Sequence, residues 1–371
     1  MTISATHPAP DSPPDPAGEP AAELRDVHIG FRSGRHVTPV VRGISLTLRR
    51  GRVLALVGES GSGKSLTSLA LIGLLPPGAE ITAGTVLLGG EDTGGFSARR
   101  WREARGDQVA MVFQDPMAAL NPGFPVGWQI AEPFRRRLGL GRGQARERAV
   151  ALMREVGIAD AAARFGDHPH EFSGGMRQRA VIAMALALGP SVLLADEPTT
   201  ALDVTVQAQI LQLLARRQRE DDLATLLVSH DLGVVARLAQ DVAVMYAGRI
   251  VEQGPLDAVY TRPAHPYTLG LLEAMPEAAG AQPGTRLKPI PGLPPDPRRP
   301  PGGCAFHPRC PFATDVCRTE DPPLVATDGG RAVACHHSDQ VTAASPAAPA
   351  PATATPPTPP TPPTPPTEET A

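Results

Sequence analysis

Val53-Leu54-Ala55-Leu56-Val57, running straight into Gly58-Glu59-Ser60-Gly61-Ser62-Gly63-Lys64-Ser65, is the stretch that decides the fold. Five consecutive apolar residues mark a strand covered on both faces. The eight that follow fit G-x-x-x-x-G-K-[ST], and Ser65 to Leu75 then reads as a helix closed by Pro76-Pro77-Gly78. Glycines let successive backbone N–H groups turn inward around phosphate oxygens, and the helix start adds positive potential. In such a loop Lys64 reaches the β- and γ-phosphates, and the Ser65 hydroxyl ligates Mg²⁺. A Gly/Ser surface loop could match by chance, but not with the strand before it and the helix after it. The order specifies an α/β phosphate-binding unit and a nucleotide site.

Further along the chain, Val192-Leu193-Leu194-Ala195 is a second buried strand and ends in Asp196-Glu197. Carboxylates at the C-terminal end of such a strand lie where α/β proteins bind ligands. Asp196 is the expected Mg²⁺ partner, and Glu197 the candidate general base for the attacking water. Alone, an Asp-Glu pair reads equally well as a loop start or a helix cap. A third β-rich run, Ala224 to Val228, ends in Ser229-His230. Val40 to Leu48 alternates apolar and polar residues, as a half-buried antiparallel strand does. Residues 125–190 are mostly helical in pattern, Val206 to Arg219 is a helix, and Val242–Tyr246 with Gly248–Glu252 reads as a hairpin turning at Ala247-Gly248.

A phosphate loop serves many activities, so the family rests on other residues. Glu171-Phe172-Ser173-Gly174-Gly175-Met176-Arg177-Gln178-Arg179 ends 17 residues before Asp196. Here the sequence resembles the ATP-binding cassette superfamily, whose signature is usually written LSGGQ; Phe172 and Met176 depart from that form, and the FSGGM variant resembles ATPase subunits of oligopeptide and dipeptide importers. In that resemblance Ser173, Gly174 and Gly175 present donors to a γ-phosphate. Gln114, in Met111-Val112-Phe113-Gln114-Asp115-Pro116, matches the loop that contacts Mg²⁺ and the water and reports to membrane subunits. Ala201-Leu202-Asp203 matches the D-loop, and His230 the switch histidine, whose neutral imidazole could contact the γ-phosphate. Phe31 is the candidate to stack on adenine, with a core role nearly as good a reading.

The resemblance implies a RecA-like α/β core with an antiparallel β subdomain and a helical subdomain carrying the signature. A small loop-rich extension bears the cysteines. Boundaries are expected at 1–21 for a disordered leader, 22–258 for the ATPase with its helical part near 115–190, 259–338 for the extension, and 339–371 for a Pro/Thr/Ala-rich tail. Eleven of the 43 prolines fall between Pro346 and Pro366, and six within residues 1–20, so the ends cannot bury enough apolar surface to fold.

His265-Pro266-Tyr267-Thr268 and Phe306-His307-Pro308-Arg309-Cys310-Pro311 resemble the C-terminal extension of the peptide-importer ATPases, which nickel importers share in part. Cys304, Cys310, Cys317 and Cys335 leave gaps of five, six and seventeen residues, with no C-x-x-C pair. From spacing alone, free structural thiols and a metal staple weigh about equally. The resemblance implies a [4Fe–4S] cluster on these four, and His307, His336 and His337 leave room for zinc.

A net charge of −3 gives no support to a sequence-wide nucleic-acid binder. Outside the Pro/Thr/Ala-rich tail no uncharged stretch exceeds 16 residues, and Ala180 to Ala195, one of that length, is too short to span a bilayer; no export signal opens the chain. The resemblance therefore implies an ATP- and Mg²⁺-using motor at the cytoplasmic face of the cell membrane. Its partners are a second, homologous cassette, two transmembrane permease subunits and, indirectly, an extracytoplasmic solute-binding protein, with no nucleic acid. Rival readings are the same motor with nickel or another cargo, a soluble cassette serving DNA repair or translation, and a cassette that binds ATP without turnover. Intact Glu197 and His230 oppose the last of these.

Overall fold

Apolar runs too short for helices pair here into two sheets. The computed structural model describes residues 19–199, 202–275, 289–296 and 299–345. In chain order the strands are β1 (Pro20–Ser33), β2 (His36–Arg49), β3 (Val53–Val57), β4 (Ala79–Leu88), β5 (Glu91–Asp92), β6 (Val109–Val112), β7 (Val192–Asp196), β8 (Ala224–Val228), β9 (Asp241–Tyr246), β10 (Arg249–Pro255), β11 (Val325–Thr327) and β12 (Arg331–Val333). The smaller sheet runs β2-β1-β4-β5 and is antiparallel throughout. The larger runs β11-β12-β10-β9-β3-β8-β7-β6, with β9, β3, β8, β7 and β6 parallel.

Every residue of β6, β7 and β8 is buried, as an apolar strand without alternation requires when helices cover both faces. The parallel order brings the ends of β3, β6, β7, β8 and β9 to one edge, where loops 58–65, 113–116, 196–199, 229–231 and 247–248 meet. Residues 115–190 supply the expected helices: Pro116–Ala119, Val126–Arg137, Arg142–Glu155 and Gly174–Leu186. The architecture is thus the α/β core, antiparallel β subdomain and helical subdomain that the resemblance implied.

Some boundaries differ from the sequence reading. β1 begins at Pro20, inside the expected leader, because Ala21 and Ala22 already pack in the core of the smaller sheet. The helix after the phosphate loop stops at Leu71, one turn before the prolines. Gly73 follows in a left-handed conformation (φ 64°), with Leu74 N–H closing on the Leu69 carbonyl at 2.8 Å. Ser338–Ala344 is helical although it lies in the expected tail, held by the buried Val341. The leader to residue 18 and the Pro-Thr repeats from Pro356 to Thr367 lie outside the described residues.

The extension joins the core directly. β12 pairs antiparallel with β10, through Glu252↔Val333 and Gln253↔Ala332, and β11 closes that edge of the sheet. Tyr267 and Phe306 pack on Tyr246 at the end of β9, with ring centroids 4.6 and 5.2 Å away. The fully buried Glu252 carboxylate accepts the N–H groups of Ala264 and His265, both at 2.9 Å, so the chain is tied down where it leaves the core.

Candidate functional site

Gly58, Gly61 and Gly63 all take positive φ (153°, 80° and 108°), so the loop needs the backbone freedom its glycines have. Gly58 also needs the space: a Cβ there would stand 2.1 Å from the Met245 carbonyl oxygen. Lys64 is buried, with Nζ donating to the carbonyls of Gly58 (2.7 Å) and Glu59 (2.9 Å). Burial lowers its pKa, while Glu197, Asp196 and Glu59 pull it back up. The Ser62 hydroxyl is buried and has no hydrogen-bond partner among the described residues, which suits it to an arriving phosphate oxygen. Beside the loop a cavity of about 130 Å³ is lined by Val40, Ser60, Ser62, Tyr246, Pro294 and Pro295 among others.

At the end of β7, Asp196 accepts a hydrogen bond from Ser65; burial raises the pKa of its carboxyl against that bond. A serine hydroxyl and a carboxylate side by side are the hard oxygen donors that Mg²⁺ takes. Glu197 turns through a left-handed conformation (φ 49°), while its N–H still bonds the Val228 carbonyl at 2.9 Å. Its two carboxylate oxygens are held from opposite sides. Gln114 Nε2 donates to Oε2 at 2.8 Å, and His230 Nδ1 lies 2.9 Å from Oε1. An ionised carboxylate only accepts, so Nδ1 carries the proton in this contact. Residues from three strand ends, 114, 197 and 230, therefore meet at one carboxylate.

Ser173 caps the helix Gly174–Leu186, its hydroxyl accepting from Met176 N–H at 3.3 Å. Ser173 and Gly174 are exposed, and among the described residues no hydrogen bond joins Ser173-Gly174-Gly175 to the phosphate loop. Gln178 Nε2 reaches back to the Pro198 carbonyl at 2.9 Å, linking this helix to the β7 carboxylates. Asp203 caps the next helix, Val204–Glu220, accepting from Val206 N–H at 2.9 Å; Ala201 lies outside the described residues. Phe31 sits on β1 and is 37% exposed, so it is not a core residue. It is also absent from the lining of the cavity, where the aromatic residue is Tyr246.

Cys304, Cys310, Cys317 and Cys335 converge on one cavity of about 10 Å³, together with His307, His336 and His337. Among the described residues no three His, Cys, Asp or Glu are already arranged to hold a metal ion. Burial pushes the Cys310 thiol up to about 11 and the Cys335 thiol up to about 12.

Sequence reasoning missed three residues that touch the phosphate loop and a fourth, Tyr246, that backs one of them. Gly248 N–H donates to the Ser62 carbonyl at 3.0 Å, the Tyr267 hydroxyl accepts from Glu59 N–H at 2.7 Å, and Arg309 forks onto the Glu59 carboxylate with Tyr246 beside it. The hairpin turn and the His-Pro-Tyr and His-Pro-Arg-Cys runs were visible, but nothing local says what a turn or an extension packs against.

A phosphate loop, an adjoining carboxylate pair and a hydrogen-bonded Gln–Glu–His set at one edge of a parallel sheet make up a nucleotide site of the α/β class. The ABC transporter family pattern matches residues 41–200, and the oligopeptide/dipeptide transporter C-terminal region matches residues 251–317. The dipeptide transport ATP-binding protein DppD of Escherichia coli is 46% identical over 311 residues, covering 84% of this chain and 94% of that relative. DppD of Lactococcus lactis is 46% identical over 308 residues, covering 83% and 88%. A solved dimeric structure, the post-hydrolysis state of the ATP-binding cassette MJ0796 bound to ADP and Pi, matches with TM-score 0.58 and 27% identity, over 63% of this chain and 98% of that one. The chain belongs to the ABC transporter ATP-binding family, in the branch carrying the oligopeptide/dipeptide C-terminal region, and is an ATP hydrolase.

Proposed function

We propose that this chain powers import of di- or oligopeptides, as one of two cassettes seated under two permease subunits at the cytoplasmic face of the membrane. The observation that carries the reading is the union of a complete cassette with the oligopeptide/dipeptide extension on one sheet. No described helix is long and apolar enough to cross a membrane, so the transmembrane path falls to other subunits. The exposed apolar side chains of Met117 and Phe124, just beyond Gln114, are the surface we assign to a permease; Phe124 stacks on Trp128 at 4.9 Å.

The exposed Ser173-Gly174 helix start supports a site shared between two cassettes, each giving its signature to the other's phosphate loop. We read the second cassette as homologous but different; a related cassette solved as a dimer supports the pairing itself. In the site built on this chain's phosphate loop, Glu197 polarises the attacking water and takes its proton as the oxygen bonds to the γ-phosphorus and ADP leaves. Gln114 and His230 hold that carboxylate in place, and Lys64 balances phosphate charge. Ser65, Asp196 and Gln114 would hold Mg²⁺, which would neutralise charge on the β- and γ-phosphates.

Deleting the gene in its own cell should abolish accumulation of a labelled dipeptide, restored by the wild-type chain and not by Lys64→Ala. Intact dipeptide uptake with lost accumulation of radioactive nickel would move the reading to nickel, which much the same extension allows.

We also assign Cys304, Cys310, Cys317 and Cys335 to a [4Fe–4S] cluster, with zinc as the alternative. The support is the donor set, four thiols on one cavity in a segment with little core of its own. A cluster would staple the extension outside the site of hydrolysis. Anaerobically purified protein should hold iron and sulfide near four per chain, both lost with Cys310→Ser. Zinc, or no metal at all, overturns the cluster and leaves the ATPase standing.

A further inference from the structure

Glu59 stands at a variable position of the phosphate-loop pattern, and every polar group it has is engaged. Its N–H donates to the Tyr267 hydroxyl at 2.7 Å, and its carbonyl accepts from Lys64 Nζ at 2.9 Å. Its carboxylate accepts both arms of the Arg309 guanidinium, at 2.8 and 2.9 Å, across 250 residues of sequence. Paired forks of this kind hold direction as well as distance.

Arg309 is itself fixed. Its side chain is 5% exposed, Nε donates to the Pro291 carbonyl at 2.8 Å, and Nη1 also reaches the Tyr246 hydroxyl at 3.3 Å. Its backbone lies in the single turn His307–Arg309, directly before Cys310, and Cys304 N–H bonds the Cys317 carbonyl at 2.9 Å behind it. An unbroken chain of contacts thus runs from the cysteine segment through Arg309 and Glu59 to the lysine that meets the phosphates.

We propose that Arg309 is a positioning residue for ATP: acting through Glu59, it sets the phosphate loop and Lys64, and so makes the extension part of the nucleotide site. The inference rests on this chain being an ATPase and needs no particular cargo or metal. A pair that only fastened the extension would not need one of the two loop residues whose carbonyls hold Lys64, Gly58 being the other. Removing Glu59 leaves the Arg309 charge buried and short of its partner, and removing Arg309 leaves the part-buried Glu59 carboxylate alone, with the loop free to shift.

The test is ATP affinity in the full-length chain, by calorimetric titration and by the KM and kcat of Mg-ATP hydrolysis. Arg309→Ala and Glu59→Ala should each raise Kd and KM about tenfold, with kcat within about twofold. The double variant should do no worse than either single, because the two act as one unit. Arg309→Lys, which keeps charge and bulk but loses the fork, should fall between. Three outcomes overturn the proposal: unchanged affinity, additive losses in the double variant, or a fall in kcat at constant KM, which reports fewer folded molecules. Should Arg309→Ala fail to fold, Arg309→Lys and Glu59→Gln give the same reading in milder form.

Discussion

Glu197→Gln is expected to lower ATP turnover by at least about 100-fold while leaving ATP binding near wild type. General bases contribute roughly 10²–10⁴ to rate, and an amide cannot take the proton of the attacking water. The substitution is nearly isosteric, and the site can absorb it. The oxygen of the new amide can still accept from Gln114 Nε2, now at 2.8 Å from Oε2. The amide nitrogen then faces His230 Nδ1, now at 2.9 Å from Oε1, and a switch of imidazole tautomer turns that nitrogen into an acceptor. The stability cost should therefore stay below about 1 kcal/mol, since one hydrogen bond is exchanged for another. Phosphate release at saturating Mg-ATP, beside an ATP titration, separates the two effects. Turnover within tenfold of wild type would remove Glu197 as the base and revive a cassette that binds ATP without using it.

The parts of this site written in local sequence were the ones legible from it. The phosphate loop sits between an apolar strand and a helix, and the carboxylates and His230 each end a buried run, so strand pattern and motif reinforced one another. That β3, β6, β7 and β8 are parallel then follows from the helices between them, and parallel order alone brings 114, 197 and 230 together. What stayed hidden depends on contacts between distant segments. Neither Arg309 nor Glu59 stands in a pattern with a period, and 250 residues separate them. The two extra strands β11 and β12 have three residues each, too few to show alternation, and take their place from the free edge of β10. Phe31 reads as either core or adenine platform because an aromatic in a strand suits both; its exposure removes the first.

Gly248→Ala should destabilise the protein by about 3 kcal/mol and raise the KM for ATP, although residue 248 belongs to no nucleotide motif. Gly248 holds φ at 82°, where an alanine costs roughly 1–2 kcal/mol. The added Cβ would also stand 2.0 Å from the Val40 carbonyl oxygen and 3.4 Å from Val41 Cα, which are backbone atoms of β2 that cannot swing aside. Relieving that clash means moving the turn, typically at about 1–3 kcal/mol more. The turn carries the phosphate loop with it, since Gly248 N–H donates to the Ser62 carbonyl at 3.0 Å while its own carbonyl accepts Arg42 N–H at 2.7 Å. Its neighbour is the control. Ala247 already carries a side chain at φ 47°, so Ala247→Gly removes strain and should leave stability within about 1 kcal/mol of wild type or slightly above it. Urea unfolding midpoints with the KM for Mg-ATP decide the matter. A Gly248→Ala protein that melts and binds ATP like wild type would show that the turn yields freely, and the phosphate loop would then owe its position to Arg309 and Tyr267 instead.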